Sequence, residues 1–180
     1  DVMNNQQATG TYNVAVGTNA LDNVTTGSNN IAVGRDAGSA ITTGGSNVAM
    51  GYSVMQASTG VSGTNNIGIG TNALDRVTTG IANVAIGRNA ASFLRAGSYN
   101  VAMGTEVMYQ GDVSGTGNVA IGTRALDKLT TGANNLAMGS YAGSNLTTGS
   151  NNTLIGNNVA NLSAITGSNN LALGTNALDR

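Results

Sequence analysis

Gly10-Thr11-Tyr12-Asn13-Val14-Ala15-Val16-Gly17 opens a pattern, G-x-x-N-φ-A-φ-G with φ a large apolar residue, that occurs ten times along the 180 residues. Its Asn returns at Asn30, Asn47, Asn66, Asn83, Asn100, Asn118, Asn135, Asn152 and Asn170, in steps of 17, 17, 19, 17, 17, 18, 17, 17 and 18. Each of these Asn residues has a Gly three positions ahead of it. Two copies bend the pattern without losing register: Gly68 replaces the central Ala, and Thr153-Leu154-Ile155 shifts the bulk. A fixed period of this length marks a repeat array whose units bury a core only by stacking on one another.

Between its glycines the φ-A-φ triplet alternates large, small, large, the period-two pattern of a short strand. One large column runs Val14, Ile31, Val48, Ile67, Val84, Val101, Val119, Leu136, Thr153, Leu171; the other runs Val16, Val33, Met50, Ile69, Ile86, Met103, Ile121, Met138, Ile155, Leu173. Both are expected to face a common interior. The small column, Ala15, Ala32, Ala49, Ala85, Ala102, Ala120, Ala137 and Ala172, is then expected to point outward, where a neighbouring chain could approach closely.

Three residues past each strand-ending Gly comes Ala20, Ala37, Val54, Ala73, Ala90, Val107, Ala125, Ala142, Val159 or Ala177, which predicts a second short strand per unit. Seven residues past it most units carry Val24, Ile41, Val77, Leu94, Leu129 or Leu146, and Thr-Thr-Gly or a relative turns the chain back. The fold class is therefore all-β, a parallel β-solenoid of ten coils of 17–19 residues. Residues 10–180 form one repeat domain with units beginning near 10, 27, 44, 63, 80, 97, 115, 132, 149 and 167, and residues 1–9 end a preceding coil. Stacked at about 4.8 Å, the coils would make a rod roughly 45 to 50 Å long.

A higher period overlies the coil, with three unit types repeating after 53, 52 and 52 residues. The first type reads Gly17-Thr-Asn-Ala-Leu-Asp22 and returns at Gly70, Gly122 and Gly174; the third, from Gly51, Gly104 and Gly156, adds one or two residues before its turn. Either triplets were duplicated within a rod of one unit per coil, or three units make one large turn of a triangular single-chain prism. In the prism, Asp22, Asp75, Asp127 and Asp179 would stack directly, as would Arg76, Lys128 and Arg180, and like charges opposite one another destabilise a sheet. With one unit per coil they lie roughly 14 Å apart, beyond the Debye length of about 8 Å at physiological salt. The charges favour one unit per coil.

Composition excludes several functions. Only 8% of residues are charged, the net charge is −1, Glu106 is the one Glu and Lys128 the one Lys. Nucleic acid, which demands clustered cations, is not an expected partner. With neither His nor Cys, the chain lacks the commonest general base, the thiolate nucleophile and the soft metal ligands. No catalytic, cofactor or metal residues are expected, and no apolar run approaches the roughly 18 residues of a membrane span.

N-V-A-I-G followed by a small-residue stretch and T-T-G-S-N-N resembles the head repeats of trimeric autotransporter adhesins, and equally the shaft repeats of phage-type tail fibres. The likeness covers residues 10 to 180. It implies a left-handed β-roll, three parallel chains wound into a fibre, an extracellular, cell-surface or virion location, and attachment to a host-surface glycan or protein receptor. The stop at Asp179-Arg180, where two earlier copies of the unit continue into Val-Thr-Thr-Gly, leads to the expectation of a fragment of a longer fibre, or of a subunit associating end to end.

Candidate ligand features read more simply as structure. The motif Asn row is expected to serve turns, bonding its own backbone and tolerating left-handed geometry. Asp22, Asp75, Asp127 and Asp179 each offer a single carboxylate, too few for calcium, and read as solvated surface charges. Thr-Thr pairs place neighbours on opposite sides of a strand, which argues against a flat ice-binding array. Asn23-Val-Thr25, Asn145-Leu-Thr147, Asn151-Asn-Thr153 and Asn161-Leu-Ser163 match the glycosylation sequon as an Asn- and Thr-rich chain does by chance. Tyr12, Tyr52, Tyr99, Tyr109 and Tyr141 are the aromatics that could stack on a sugar, first of all Tyr52 and Tyr109 in the third-type loops. The expected function is a non-catalytic structural or adhesive fibre segment, with a self-polymerising filament subunit as the alternative.

Overall fold

A computed structural model describes residues 8–161 and 166–179. Residues 1–7 of the expected preceding coil lie outside the described residues. Ten three-residue strands, β1 (Val14–Val16), β2 (Ile31–Val33), β3 (Val48–Met50), β4 (Ile67–Ile69), β5 (Val84–Ile86), β6 (Val101–Met103), β7 (Val119–Ile121), β8 (Leu136–Met138), β9 (Thr153–Ile155) and β10 (Leu171–Leu173), form one parallel sheet in chain order. Ala15 pairs with Ala32, Ala32 with Ala49 and Ala85 with Ala102, so each repeat is one coil. The three-unit prism is thereby ruled out.

Two glycine columns bracket the sheet because there is no room for a side chain where coils touch. Gly87 ends β5 at φ 130°, and a Cβ there would lie 2.2 Å from the Gly104 carbonyl oxygen of the next coil. Gly80, ahead of the same strand, would put its Cβ 2.4 Å from the Gly97 oxygen. The strand ends at this Gly because the following residues leave extended geometry altogether.

The second strand expected at Ala20, Val54 and their counterparts does not form. In its place the chain makes consecutive turns, Ala20 N–H donating to the Gly17 carbonyl at 3.2 Å and Val24 N–H to that of Leu21 at 3.3 Å. Asn19 and Leu21 sit at φ 56° and 52°, and the same alternation recurs at Asn72 and Leu74 and at Arg124 and Leu126. Left-handed backbone costs a non-Gly residue of order 1 kcal/mol or more. It is offset because each such leucine is fully buried and its N–H reaches the next coil, as in Leu21 to Ala37 at 3.1 Å.

The inside and outside of the strand are the reverse of the expectation. Ala32, Ala49, Ala85, Ala102, Ala120 and Ala137 are fully buried, whereas Val14 is 49% exposed, Met50 40% and Leu171 69%. A coil of this length is thin, and the wall opposite the strand supplies the bulk through Leu21, Val24, Ile41, Leu74, Leu126 and Leu129. Only a methyl fits between. Where the strand carries no methyl, the opposite wall adjusts: a Cβ on Gly68 would lie 2.7 Å from Val54 Cγ1, and the large Leu154 is matched by Gly143, whose Cβ would lie 2.7 Å from Leu154 Cδ1. Leu21 and Leu126 lean over Gly38 and Gly143 of the following coil, within 2.9 Å and 3.0 Å of where a Cβ would stand.

The further apolar column is more complete than the fixed spacing indicated. Val61 and Val113 continue it in two of the third-type units, pairing with Ile41 and Leu94 of the preceding coils. The extra residues are pushed out as loops at 56–60 and 109–112.

Candidate functional site

Three surfaces were candidates: the motif Asn row, the outer strand face, and the turn side with its charged residues and loops. The Asn row lies inside. Asn30, Asn47, Asn66, Asn83, Asn100, Asn118, Asn135 and Asn152 are buried and form a continuous ladder. Asn83 donates its backbone N–H and one amide hydrogen to Asn66 Oδ1, each at 3.0 Å, and the other amide hydrogen to the Gly97 carbonyl at 2.9 Å. Every amide donor and acceptor is thereby used, leaving nothing for a ligand. The left-handed position expected for these residues belongs to the one before, such as Asn29, Ser46 and Ala82.

The outer strand face carries two parallel columns of Val, Ile, Leu and Met on ten strands, partly or largely exposed in the single chain. It forms a stripe roughly 43 Å long, apolar except for Thr153 on β9.

The turn side is polar. Glu106 bridges Arg88 at 2.8 Å and Arg124 at 2.7 Å. The Arg124 hydrogen bond, helped by that of Arg88, holds its carboxyl below the usual glutamate range against the opposing effect of burial. The aspartate column is less solvated than expected. Burial pushes the Asp75 carboxyl up, with Arg76 opposing, and Asp127 is only 4% exposed. Burial raises the Asp127 carboxyl as well, opposed by Arg124 and reinforced by Glu106. Leu74 and Leu126, buried just before Asp75 and Asp127, draw these aspartates in toward the loop of the preceding coil: Gln110 N–H donates to the Asp127 backbone carbonyl at 2.8 Å. Among the described residues no group of three or more His, Cys, Asp or Glu is placed to hold a metal, and no helix is long and apolar enough to cross a membrane.

The tyrosines divide by environment. Tyr12 and Tyr99 stand out from the surface. The Arg35 guanidinium covers the Tyr52 ring at 4.3 Å from its centre, and Tyr109 packs edge-on against Phe93 at 5.6 Å, with Arg76 stacked on Phe93 at 4.1 Å. Arg124 stands over the Tyr141 ring at 6.0 Å from its centre, and Tyr141 lines a groove with Asp127. In the Thr-Thr pairs the first hydroxyl turns onto the next coil, as Thr78 Oγ1 to the Arg95 carbonyl at 3.0 Å. Of the sequons, Asn23 donates to the Ser39 carbonyl at 2.7 Å, Asn145 is held by Lys128 at 2.7 Å, and Asn151 is exposed; Asn161-Leu-Ser163 runs outside the described residues.

Compared with protein-family models, curated proteins and solved structures, the chain matches none.

Proposed function

We propose that this chain is a non-catalytic structural and adhesive repeat segment of an extracellular or virion surface fibre, in which three copies pack their outer strand faces against one another. The observation that carries the reading is the apolar stripe on β1–β10. Soluble monomers rarely leave so extended an apolar surface in water, and burying the remainder of each Val, Ile, Leu or Met is worth about 1 kcal/mol. A repeated face on a straight rod suits lateral assembly of parallel copies, each coil meeting its equivalent. The resemblance to adhesin and tail-fibre repeats supplies the number three and the surface role. The lack of His and Cys, and carboxylates that are single or paired with arginine, support a non-enzymatic function.

Light scattering is expected to give about three times the 17.8 kDa chain mass; a monomer at micromolar concentration overturns the assembly. The outer edges of β1 and β10, which pair with no strand among the described residues, favour a second reading, a filament growing end to end by strand pairing. Electron microscopy separates the two, with short rods expected for the first and fibres that lengthen with concentration for the second.

A further inference from the structure

Two buried polar atoms on the turn side, Ser92 Oγ and Asp127 Oδ1, are left without a partner among the described residues. Asp127 is 4% exposed, and its Oδ1 has no hydrogen-bond partner. Buried acceptors are nearly always paired, so an orphaned carboxylate oxygen points to a missing donor. Asp127 also lines a groove of about 260 Å³ between the loop at 109–112 and the two coils that follow, together with Gln110, Arg124, Lys128, Tyr141 and Asn145. The carboxylate torsion is broad, so a small rotation brings Oδ1 to the groove.

The lining selects the class of ligand. Arg124 and Lys128 oppose a cation, the Asp127 carboxylate opposes an anion, and the wall is too polar for an apolar guest. Around the orphaned oxygen the groove offers an exposed amide at Gln110, an ammonium at Lys128 held by Asn145 Oδ1 at 2.7 Å, and the Tyr141 ring. We propose that this groove binds a neutral saccharide, one hydroxyl donating to the Asp127 carboxylate, its neighbours bonding Gln110 and Lys128, and a C–H face resting on Tyr141. The volume lies just below the range of drug-sized sites and suits a single sugar residue. The earlier groove beside Gln56, Asp75 and Arg76 is an incomplete copy, because Asn89 stands where Tyr141 stands one 52-residue period later.

None of the lining residues belongs to a strand, so the groove stays open when the outer strand faces are covered. Three weak sites on one fibre would act together on a glycan-coated surface. The inference names the receptor chemistry of the attachment function proposed above and rests on that reading.

Saturation-transfer NMR with methyl α-D-mannoside, methyl β-D-galactoside and methyl β-D-glucoside at millimolar concentration tests it. At least one glycoside should receive saturation from the parent chain without calcium, bind about tenfold or more weakly to Asp127→Asn, and bind unchanged to Asp22→Asn; circular dichroism should show all three proteins folded alike. No transfer from any of the three glycosides, equal transfer in Asp127→Asn, or binding that requires calcium would overturn the site. Mass measured on the same samples keeps the two proposals apart, since a trimer that binds no glycoside sinks the groove alone and a monomer that binds one sinks the fibre alone.

Discussion

Each motif asparagine has two amide hydrogens and an oxygen with two lone pairs, and the coil spacing lets all of them pair. Asn100 shows what this ladder is worth: its Oδ1 accepts from Asn118 N–H at 2.9 Å and Nδ2 at 3.0 Å, and its own amide donates to Asn83 Oδ1 at 3.2 Å and the Gly115 carbonyl at 3.0 Å. Asn100→Ala leaves several buried groups unpaired, each costing about 1–3 kcal/mol, so a loss of about 3 kcal/mol or more is expected in denaturant titrations at fixed protein concentration. Asp127 predicts the opposite sign. Burial raises its folded pKa above the ordinary aspartate value of 3.8, so the folded chain binds the proton more tightly than the unfolded one. Its effect on stability is therefore neutral below that value and turns unfavourable as pH rises through the folded pKa. Asp127→Asn should melt higher than the parent at pH 7 and together with it at pH 3; equal melting at both would show the carboxylate to be solvated.

At the scale of the element, the strand is held by size matching across a thin coil. Gly68→Ala should cost about 1–3 kcal/mol through its contact with Val54. Val54→Ala, which restores the residue common in that column, should recover part of the loss, so the double variant should be more stable than the sum of the single effects by about 1 kcal/mol; simple additivity in denaturant melts would contradict this packing. The same thinness explains what could be read from sequence. Strand positions, register and one unit per coil were legible, because period-two alternation and the asparagine spacing depend only on the repeat. Which side of the alternation faces inward was not: alternation defines two sides, and Ile86 would suit the interior of a thicker coil better than Ala85 does. The second strand was misread because a buried Ala followed by Leu scans as extended chain, while the left-handed backbone at Asn19 and Leu21 carries no glycine to announce it. Val61 and Val113 escaped a fixed offset because the loop insertions move them. In the groove, Tyr141 and Asp127 were visible as residues, but their meeting depends on how the loop at 109–112 folds over the next coil.

For the whole molecule, the reversed faces change what a substitution on the sheet tests. Ala85→Asp would place a charge in the sealed core between β5 and the turn wall, where several kcal/mol are lost before any contact is counted, and the coil stack should become protease-sensitive near its middle. Ile86→Asp lies one residue away on the outer stripe. It leaves the core of a single chain intact and sets like charges against each other wherever copies meet. The most direct measurement is therefore the mass of the parent and of Ile86→Asp by sedimentation equilibrium, alongside circular dichroism. The account predicts a trimer for the parent and folded, dissociated chains for Ile86→Asp. A parent that is monomeric, or an Ile86→Asp chain that unfolds while Ala85→Asp stays intact, would contradict it.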